Sequence, residues 1–234
     1  MLQKQVEDWG ATPYTAELIW AVMSSGVEWT SSDAAPEVRL GGRELDVKAS
    51  ATPAGGFTID LDPHTASGQT LEISKTGGGP SWGGVVSQYV APIAEVKSRT
   101  ADGISVSKSL YVIGDNGNAT TGPLAVGTKV KVTIVVKTDR DMDYVALCDA
   151  RAAALRPVDY LSGYNATDGL FCYREIRDNA TNFFFSYLPK GSHVISYECF
   201  VDREGEYASG IAEAQCLYAP VIVAHSRGEV ITVR

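Results

Sequence analysis

Residues 129–138 read Lys129 Val130 Lys131 Val132 Thr133 Ile134 Val135 Val136 Lys137 Thr138. Val130, Val132, Ile134 and Val136 alternate with Lys129, Lys131 and Thr133. Successive side chains of an extended chain point to opposite faces, so this stretch is a strand with one face buried and one in water. The same period of two recurs on both sides. Upstream, Ile104, Val106, Leu110 and Val112 line one strand; downstream come 144–147, 183–187, 194–201, 207–217 and 230–233, divided by Gly, Pro, Asn or Asp clusters. Seven such strands suit a β-sandwich over residues 98–234. Between them, residues 150–154 are expected to make a short helical turn before Pro157, and 160–169 an exposed loop.

The first part of the chain changes character once. Thr12 is a good N-cap and Pro13 fits a first helical position; Ala16, Ile19, Trp20 and Met23 then recur at helical spacing until Gly26 stops the run. A helix this short is marginal alone in water, so it needs a packing partner. After Gly26 the period becomes two. Val38 and Leu40, then Leu45 and Val47, flank Gly41 Gly42 as a hairpin; Phe57, Ile59 and Leu61 alternate, as do Leu71 and Ile73. Four or five short strands without another helix are expected here. Beyond Gly77 Gly78 Gly79, residues 84–89 read as a further strand leading to Pro92. The fold class is therefore mainly β, with two β-sandwich domains preceded by a short N-terminal helical segment.

Composition excludes several functions. A chain of 234 residues, 44% hydrophobic and 21% charged, can bury one large core or two ordinary ones. A net charge of −8 with no basic face argues against a nucleic-acid partner. No apolar stretch approaches the roughly 20 residues of a membrane-spanning helix, so no transmembrane segment is expected. Leu2 Gln3 Lys4 Gln5 Val6 Glu7 Asp8 lacks both a basic region and an apolar core, so it is no secretory signal. The chain is then either cytoplasmic or begins inside a longer reading frame. Cys148, Cys172, Cys199 and Cys216 lack CxxC spacing, which removes the usual zinc and redox signatures. Two disulfides in an oxidising compartment and four buried thiols both fit.

The constellations that resemble chemistry have plainer readings. Gly79 Pro80 Ser81 Trp82 Gly83 matches a GxSxG nucleophile elbow, with Asp143 and His193 or His225 downstream in hydrolase order. Its flanks, a triple glycine and a β-branched run without alternating helices, suit a glycine-rich loop entering a strand. His64, His193 and His225 are isolated from one another and from the cysteines. Asp115 Asn116 Gly117 Asn118 has part of a calcium loop but no distal glutamate, and a type I′ turn accounts for it. Asp139, Asp141 and Asp143, interrupted by Arg140, read as a solvated loop. Asn118, Asn165 and Asn179 begin glycosylation sequons, which matter only in a eukaryotic secreted protein, and all fall in expected turns. Phe183 Phe184 Phe185 with Tyr187 reads as core packing. No catalytic, cofactor-binding or metal-binding residue is assigned.

A group of strings points further. Tyr173 Arg174, Asn182 Phe183 Phe184 Phe185, Leu188 Pro189 Lys190 Gly191, Gly205 Glu206 Tyr207, Gly210 Ile211 and Gln215 Cys216 Leu217 Tyr218 Ala219 Pro220 together resemble the C-terminal end of bacterial α2-macroglobulin-like proteins. Trp9 Gly10, Thr12, Thr15 Ala16 and Ala21 resemble the last helix pair of that family's thioester-bearing helical toroid. Trp82 Gly83 with Gln88 Tyr89 is similar to its CUB-like β-domain. The resemblance implies a helical remnant of the toroid at 1–26, a CUB-like domain at 27–97 and a C-terminal macroglobulin sandwich at 98–234.

It also implies a non-enzymatic, extracytoplasmic protein, in the periplasm or at the bacterial cell surface. The upstream domains of the same full-length protein would be its partners and proteases its targets, with no cofactor. Members trap proteases after cleavage of a bait region, many through a thioester in a Cys-x-Glu-Gln motif. None of the four cysteines is followed by that motif, so the covalent step does not belong to this chain. A stand-alone adhesin or carbohydrate-binding pair of sandwiches fits the residues as well, and exposed aromatics on a concave sheet face would favour it.

Overall fold

The structure is a computed structural model that describes residues 12–26, 35–47, 56–79, 81, 83–88, 90–100, 103–114, 116–219 and 221–234. It is mainly β, with several antiparallel sheets after a short N-terminal helix. It divides into two compact units, Gly10–Gln88 and Met1–Trp9 with Tyr89–Arg234.

In the unit Gly10–Gln88, helix α1 (Thr12–Met23) carries Pro13 in its first turn, where the missing N–H costs nothing. Gly26, at φ 77°, takes the left-handed conformation that follows its end. None of its residues is buried, and Trp20 is 72% exposed, so the expected packing partner is not found among the described residues. Strands β1 (Ala35–Leu40) and β2 (Arg43–Glu44) form the expected hairpin. Gly41 and Gly42 sit at φ 56° and 80°, the type I′ geometry whose twist matches the flanking strands. A one-turn helix α2 (Pro63–Ala66), where no further helix was expected, is capped by Asp62, whose carboxylate accepts the His64 N–H at 3.0 Å. Strand β3 (Leu71–Thr76) pairs with β1 to give the order β2-β1-β3.

The four or five strands expected in this region are thus three among the described residues. Residues 58–62 and 83–88 are in no strand, although both alternate or run apolar. Alternation specifies faces, but a strand also needs a neighbour to take its backbone groups. Asp62 and Pro63 close the first stretch by starting α2, and Gly83 and Gly84 weaken the second.

The other unit begins with a 3₁₀ turn at Ile93–Glu95 and builds two facing sheets. The chain runs through β4 (Ile104–Ile113), β5 (Ala119–Thr120), β6 (Lys129–Thr138), β7 (Met142–Ala150) and β8 (Leu155–Pro157). Then come β9 (Gly163–Thr167), β10 (Leu170–Ile176), β11 (Ala180–Leu188) and β12 (Gly191–Val201). It ends with β13 (Gly205–Ala208), β14 (Ala212–Cys216), β15 (Val223–His225) and β16 (Val230–Val233). One sheet has the order β5-β4-β6-β12-β8, the other β15-β14-β7-β11-β10-β9, and β13 pairs with β16 separately.

The core is where the alternation places it. Val130, Val132, Ile134 and Val136 of β6 are at most 1% exposed and share one buried cluster with Leu147, Phe183, Phe185 and Ile195. Burial of each such side chain contributes about 1.5–3 kcal/mol. Phe183 and Phe185 point inward as expected, and Phe184 faces outward between them.

Four local expectations change. Residues 150–154 make no helix: Ala150 ends β7, and a turn closed by the Leu155 N–H on the Ala152 carbonyl at 2.9 Å leads into β8. Residues 160–169 hold β9, joined to β10 by Asp168 and Gly169 at φ 52° and 74°, a two-residue type I′ turn between the paired Thr167 and Leu170. Residues 207–217 split into strands of two sheets, β13 and β14. The break is at Gly210, where φ is 70° and a Cβ would stand 2.4 Å from the Ala150 carbonyl oxygen, so only glycine fits. Finally, the turn at Asn116 Gly117 is not of type I′. The Gly114 N–H donates to the Asn118 carbonyl at 3.0 Å, the Gly117 N–H donates to the Gly114 carbonyl at 2.8 Å, the Asn118 N–H donates to the Asn116 side-chain oxygen at 3.0 Å, and Gly117 takes φ 77° while Asn116 does not go positive.

Candidate functional site

The sequence candidates for chemistry are not brought together. Ser81 lies in the unit Gly10–Gln88, no α-helix follows it among the described residues, and Asp143, His193 and His225 belong to the other unit. His193 Nε2 is 2.8 Å from the Pro189 carbonyl and His225 Nδ1 is 2.9 Å from that of Ser226, so each ring is engaged by backbone. His64 sits on α2. Asp139 pairs with Arg140 at 2.8 Å, and that guanidinium lowers its pKa; Asp141 accepts the Lys190 N–H at 2.7 Å, which lowers its own. Among the described residues no group of three or more His, Cys, Asp or Glu is placed to hold a metal ion. No helix among them is long and apolar enough to cross a membrane. Asn118, Asn165 and Asn179 are exposed, Asn165 within β9 rather than in a turn.

All four cysteines are free thiols; Cys172, Cys199 and Cys216 are buried and Cys148 is exposed. Burial pushes all four thiols up, that of Cys199 to about 12. A thiol held neutral is a poor nucleophile and a poor metal ligand.

Two features were not anticipated from the sequence. The first is a polar network buried between the sheets. Lys108 of β4 donates to Asp149 of β7 at 2.6 Å, and the Tyr197 hydroxyl of β12 donates to the other carboxylate oxygen at 2.7 Å. Lys108 also reaches the carbonyls of Ala150 at 2.7 Å and Ser209 at 3.0 Å. Asp149 is fully buried, which pushes its carboxyl up against the opposing pull of Lys108; burial and Asp149 push the Tyr197 hydroxyl well up. Arg151 adds bonds to the Thr181 hydroxyl at 2.5 Å and to the carbonyls of Arg177 and Asp178. These groups tie β4, β7, β11 and β12 in one register, because a slipped strand would leave a buried charge without its partner. The signal was present: in the alternation Ile104, Val106, Leu110, Val112, Lys108 holds an inward position.

The second feature is aromatic and lies on the outer face of the six-stranded sheet. Tyr164 of β9 and Phe171 of β10 are 74% and 68% exposed, with parallel rings 5.2 Å apart. Tyr173 meets Tyr164 edge-on at 5.4 Å, and Tyr144 meets Tyr218 edge-on at 4.9 Å. Tyr144 holds a positive φ of 53°, unusual for a bulky residue. Tyr144, Tyr164, Phe171 and Tyr173, with Phe184 and Leu217, edge a hollow of about 220 Å³. Patches of this kind on a sandwich with a complete core mark contact surfaces. Such a surface offers apolar and stacking contact.

The comparisons with known proteins bear on the same unit. The family model of the bacterial alpha-2-macroglobulin MG10 domain matches residues 103–220, half of the 234 residues. Among solved structures, trypsin-activated alpha-2-macroglobulin from Escherichia coli is similar at 14% identity over 100% of this chain and 16% of that one, with a TM-score of 0.53. Salmonella alpha-2-macroglobulin reacted with methylamine is 17% identical over 97% of this chain and 15% of that one, at a TM-score of 0.49. The chain therefore spans about one sixth of the length of these relatives. No curated protein matches it.

Proposed function

The chain belongs to the bacterial alpha-2-macroglobulins, and on that premise we propose that it is a non-catalytic scaffold region of a longer protease-trapping or protease-inhibiting protein. In this reading residues 1–26 end a thioester-type toroid, 27–97 form a CUB-like domain and 98–234 the terminal macroglobulin sandwich. Its partners are the other domains of the same protein, and the whole works outside the cytoplasm, in the periplasm or at the cell surface. Cleavage of a bait region elsewhere shifts the docking of these packed β-domains, a rigid-body change of the kind that interfaces between domains allow. The E. coli relative was solved in a trypsin-activated form, which supports proteolysis as the trigger.

One observation carries the reading: the aromatic face of Tyr164, Phe171, Tyr173 and Leu217 is open in a unit whose own core is full. A surface of that kind suits burial by a neighbouring domain. Hydrogen exchange on the longer protein tests it. Amides of β9 and β10 should be better protected there than in this chain, and their protection should change after protease cleavage. Equal exchange in all three states would remove the scaffold reading.

The same rings favour a second reading, a carbohydrate-binding module. Titration with oligosaccharides decides between the two, since saturable binding lost in Tyr164→Ser would support the glycan site.

A further inference from the structure

Strand β12 is paired unequally on its two sides. Toward β6 the pairing is unbroken, from Gly191 with Thr138 to Phe200 with Lys129. Toward β8 it covers only Cys199, Phe200 and Val201. The Val158 N–H donates to the Glu198 carbonyl at 3.0 Å, and the Val194 N–H to the Asp168 carboxylate at 2.8 Å. Alternate residues of an antiparallel strand turn their backbone groups to opposite edges, so the even-numbered residues of β12 face away from β6. Ser192 and Ser196 belong to this set, and no strand among the described residues pairs with them on that side.

Backbone N–H and C=O groups require partners, and native sheets blunt a free edge with Lys, Pro or a bulge. Ser192 His193 Val194 Ile195 Ser196 contain neither Lys nor Pro, and their register with β6 has no bulge. One donor on this edge already has a substitute: the side chain of Asp168, just after β9, stands where a strand carbonyl would. The edge also has room beside it. A cavity of about 220 Å³ begins where β8 ends, lined among others by Pro157, Val158, Arg174, Ile176 and Tyr197.

We propose that the open edge of β12 accepts an extended segment of the longer protein, from outside these 234 residues, as an added strand in line with β8. Recognition is by backbone: a carbonyl of the segment takes the Ser196 N–H, an N–H of the segment takes the Ser196 carbonyl, and the Ser192 groups continue the ladder. Its side chains alternate between the outer face beside Val194, which is 44% exposed, and the cavity mouth, where Pro157, Val158 and Ile176 suit a small apolar group. Asp168 competes for the Val194 N–H and sets the affinity. The source of the segment rests on the scaffold reading, since the chain spans 16% of the E. coli relative and most of a protein of that length lies outside it.

The probe on this chain is an N-acetylated, amidated hexapeptide of alternating threonine and valine, titrated while backbone amides are followed by nitrogen-15 NMR. The Ser192 and Ser196 amides should shift saturably, and the same peptide N-methylated at every amide should move neither. Asp168→Gly suits the φ of 52° and removes the competing carboxylate, so it should tighten binding several-fold. Ser196→Pro removes a donor that β6 does not use, so the fold should hold in a thermal melt while binding falls about tenfold or more. If that variant does not fold, Asp168→Gly decides. In the longer protein, hydrogen exchange resolved to single residues should be about tenfold slower or more at Ser196 than in this chain, at every protein concentration. No saturable shift, an equal response to the methylated peptide, weaker binding in Asp168→Gly, or equal exchange at Ser196 would each overturn the proposal. Protection that grows with concentration would assign the edge to a second copy and overturn it as well. Amides of β9 and β10 are read in the same exchange experiment, so the edge and the scaffold reading can fail separately.

Discussion

The unit ending in Tyr89–Arg234 and the unit Gly10–Gln88 are written in the same alternating code and reach different degrees of burial. In the first, the inward residues of β6 meet a second sheet and lose all contact with water. In the second, Val38 is the one buried apolar side chain among the described residues; Ile73 of β3 is 63% exposed and α1 buries nothing. Alternation supplies an apolar face, and a second layer has to supply the partner. A three-stranded sheet and a three-turn helix have little of that layer between them. The larger unit is a self-sufficient sandwich, whereas the smaller is shaped for more protein than its described residues contain.

The largest test of that contrast removes one core ring from the larger unit and one exposed ring from the smaller. Phe183→Ala should cost about 3–5 kcal/mol in urea unfolding of the full chain followed by circular dichroism. Trp20→Ala should change it by less than about 0.5 kcal/mol. A comparable loss from both would mean that α1 is packed.

Next in size is the ionic link between the two sheets. Asp149→Leu strands Lys108 in the interior and should cost about 3–5 kcal/mol; adding Lys108→Met should recover most of that loss. If the double variant is as unstable as the single, the network is holding more than its charges.

The smallest effect is on pH. Burial holds the Cys199 thiol up to about 12, above its ordinary value of 9.0. The folded state therefore keeps this proton longer than the unfolded one. The associated stability is complete below about pH 9 and drains away as the pH climbs toward about 12. Urea midpoints of the parent should fall more steeply over that range than those of Cys199→Ala. Parallel curves would show that the thiol is not desolvated.

Much of the larger unit was legible from periodicity alone. β6 needed only its own ten residues, and in the smaller unit the glycine pair at Gly41 Gly42 named the turn between β1 and β2. The pair Asp168 Gly169 carried an equally clear hairpin signal. Residues 163–167 themselves mix Gly, Tyr, Asn, Ala and Thr without alternation, so β9 is held by its pairing with β10 and not by its own pattern. Residues 84–88 show the reverse, an apolar run with strand character and no strand. The family was readable in strings such as Gln215 to Pro220, in which Gln215 and Cys216 end β14 and Cys216 and Ala219 are buried. The aromatic face and the Arg174 cavity were not readable, since each is assembled from strands distant in the chain that only the sheet order brings together.

Hydrogen exchange of the full chain, resolved by peptide, tests the contrast between the units most directly. Amides of β6, β11 and β12 should exchange only through global unfolding, and those of β1 and β3 orders of magnitude faster, through local opening. Equal protection of the two sets would contradict the account, because it would mean that Gly10–Gln88 has a second layer not found among its described residues.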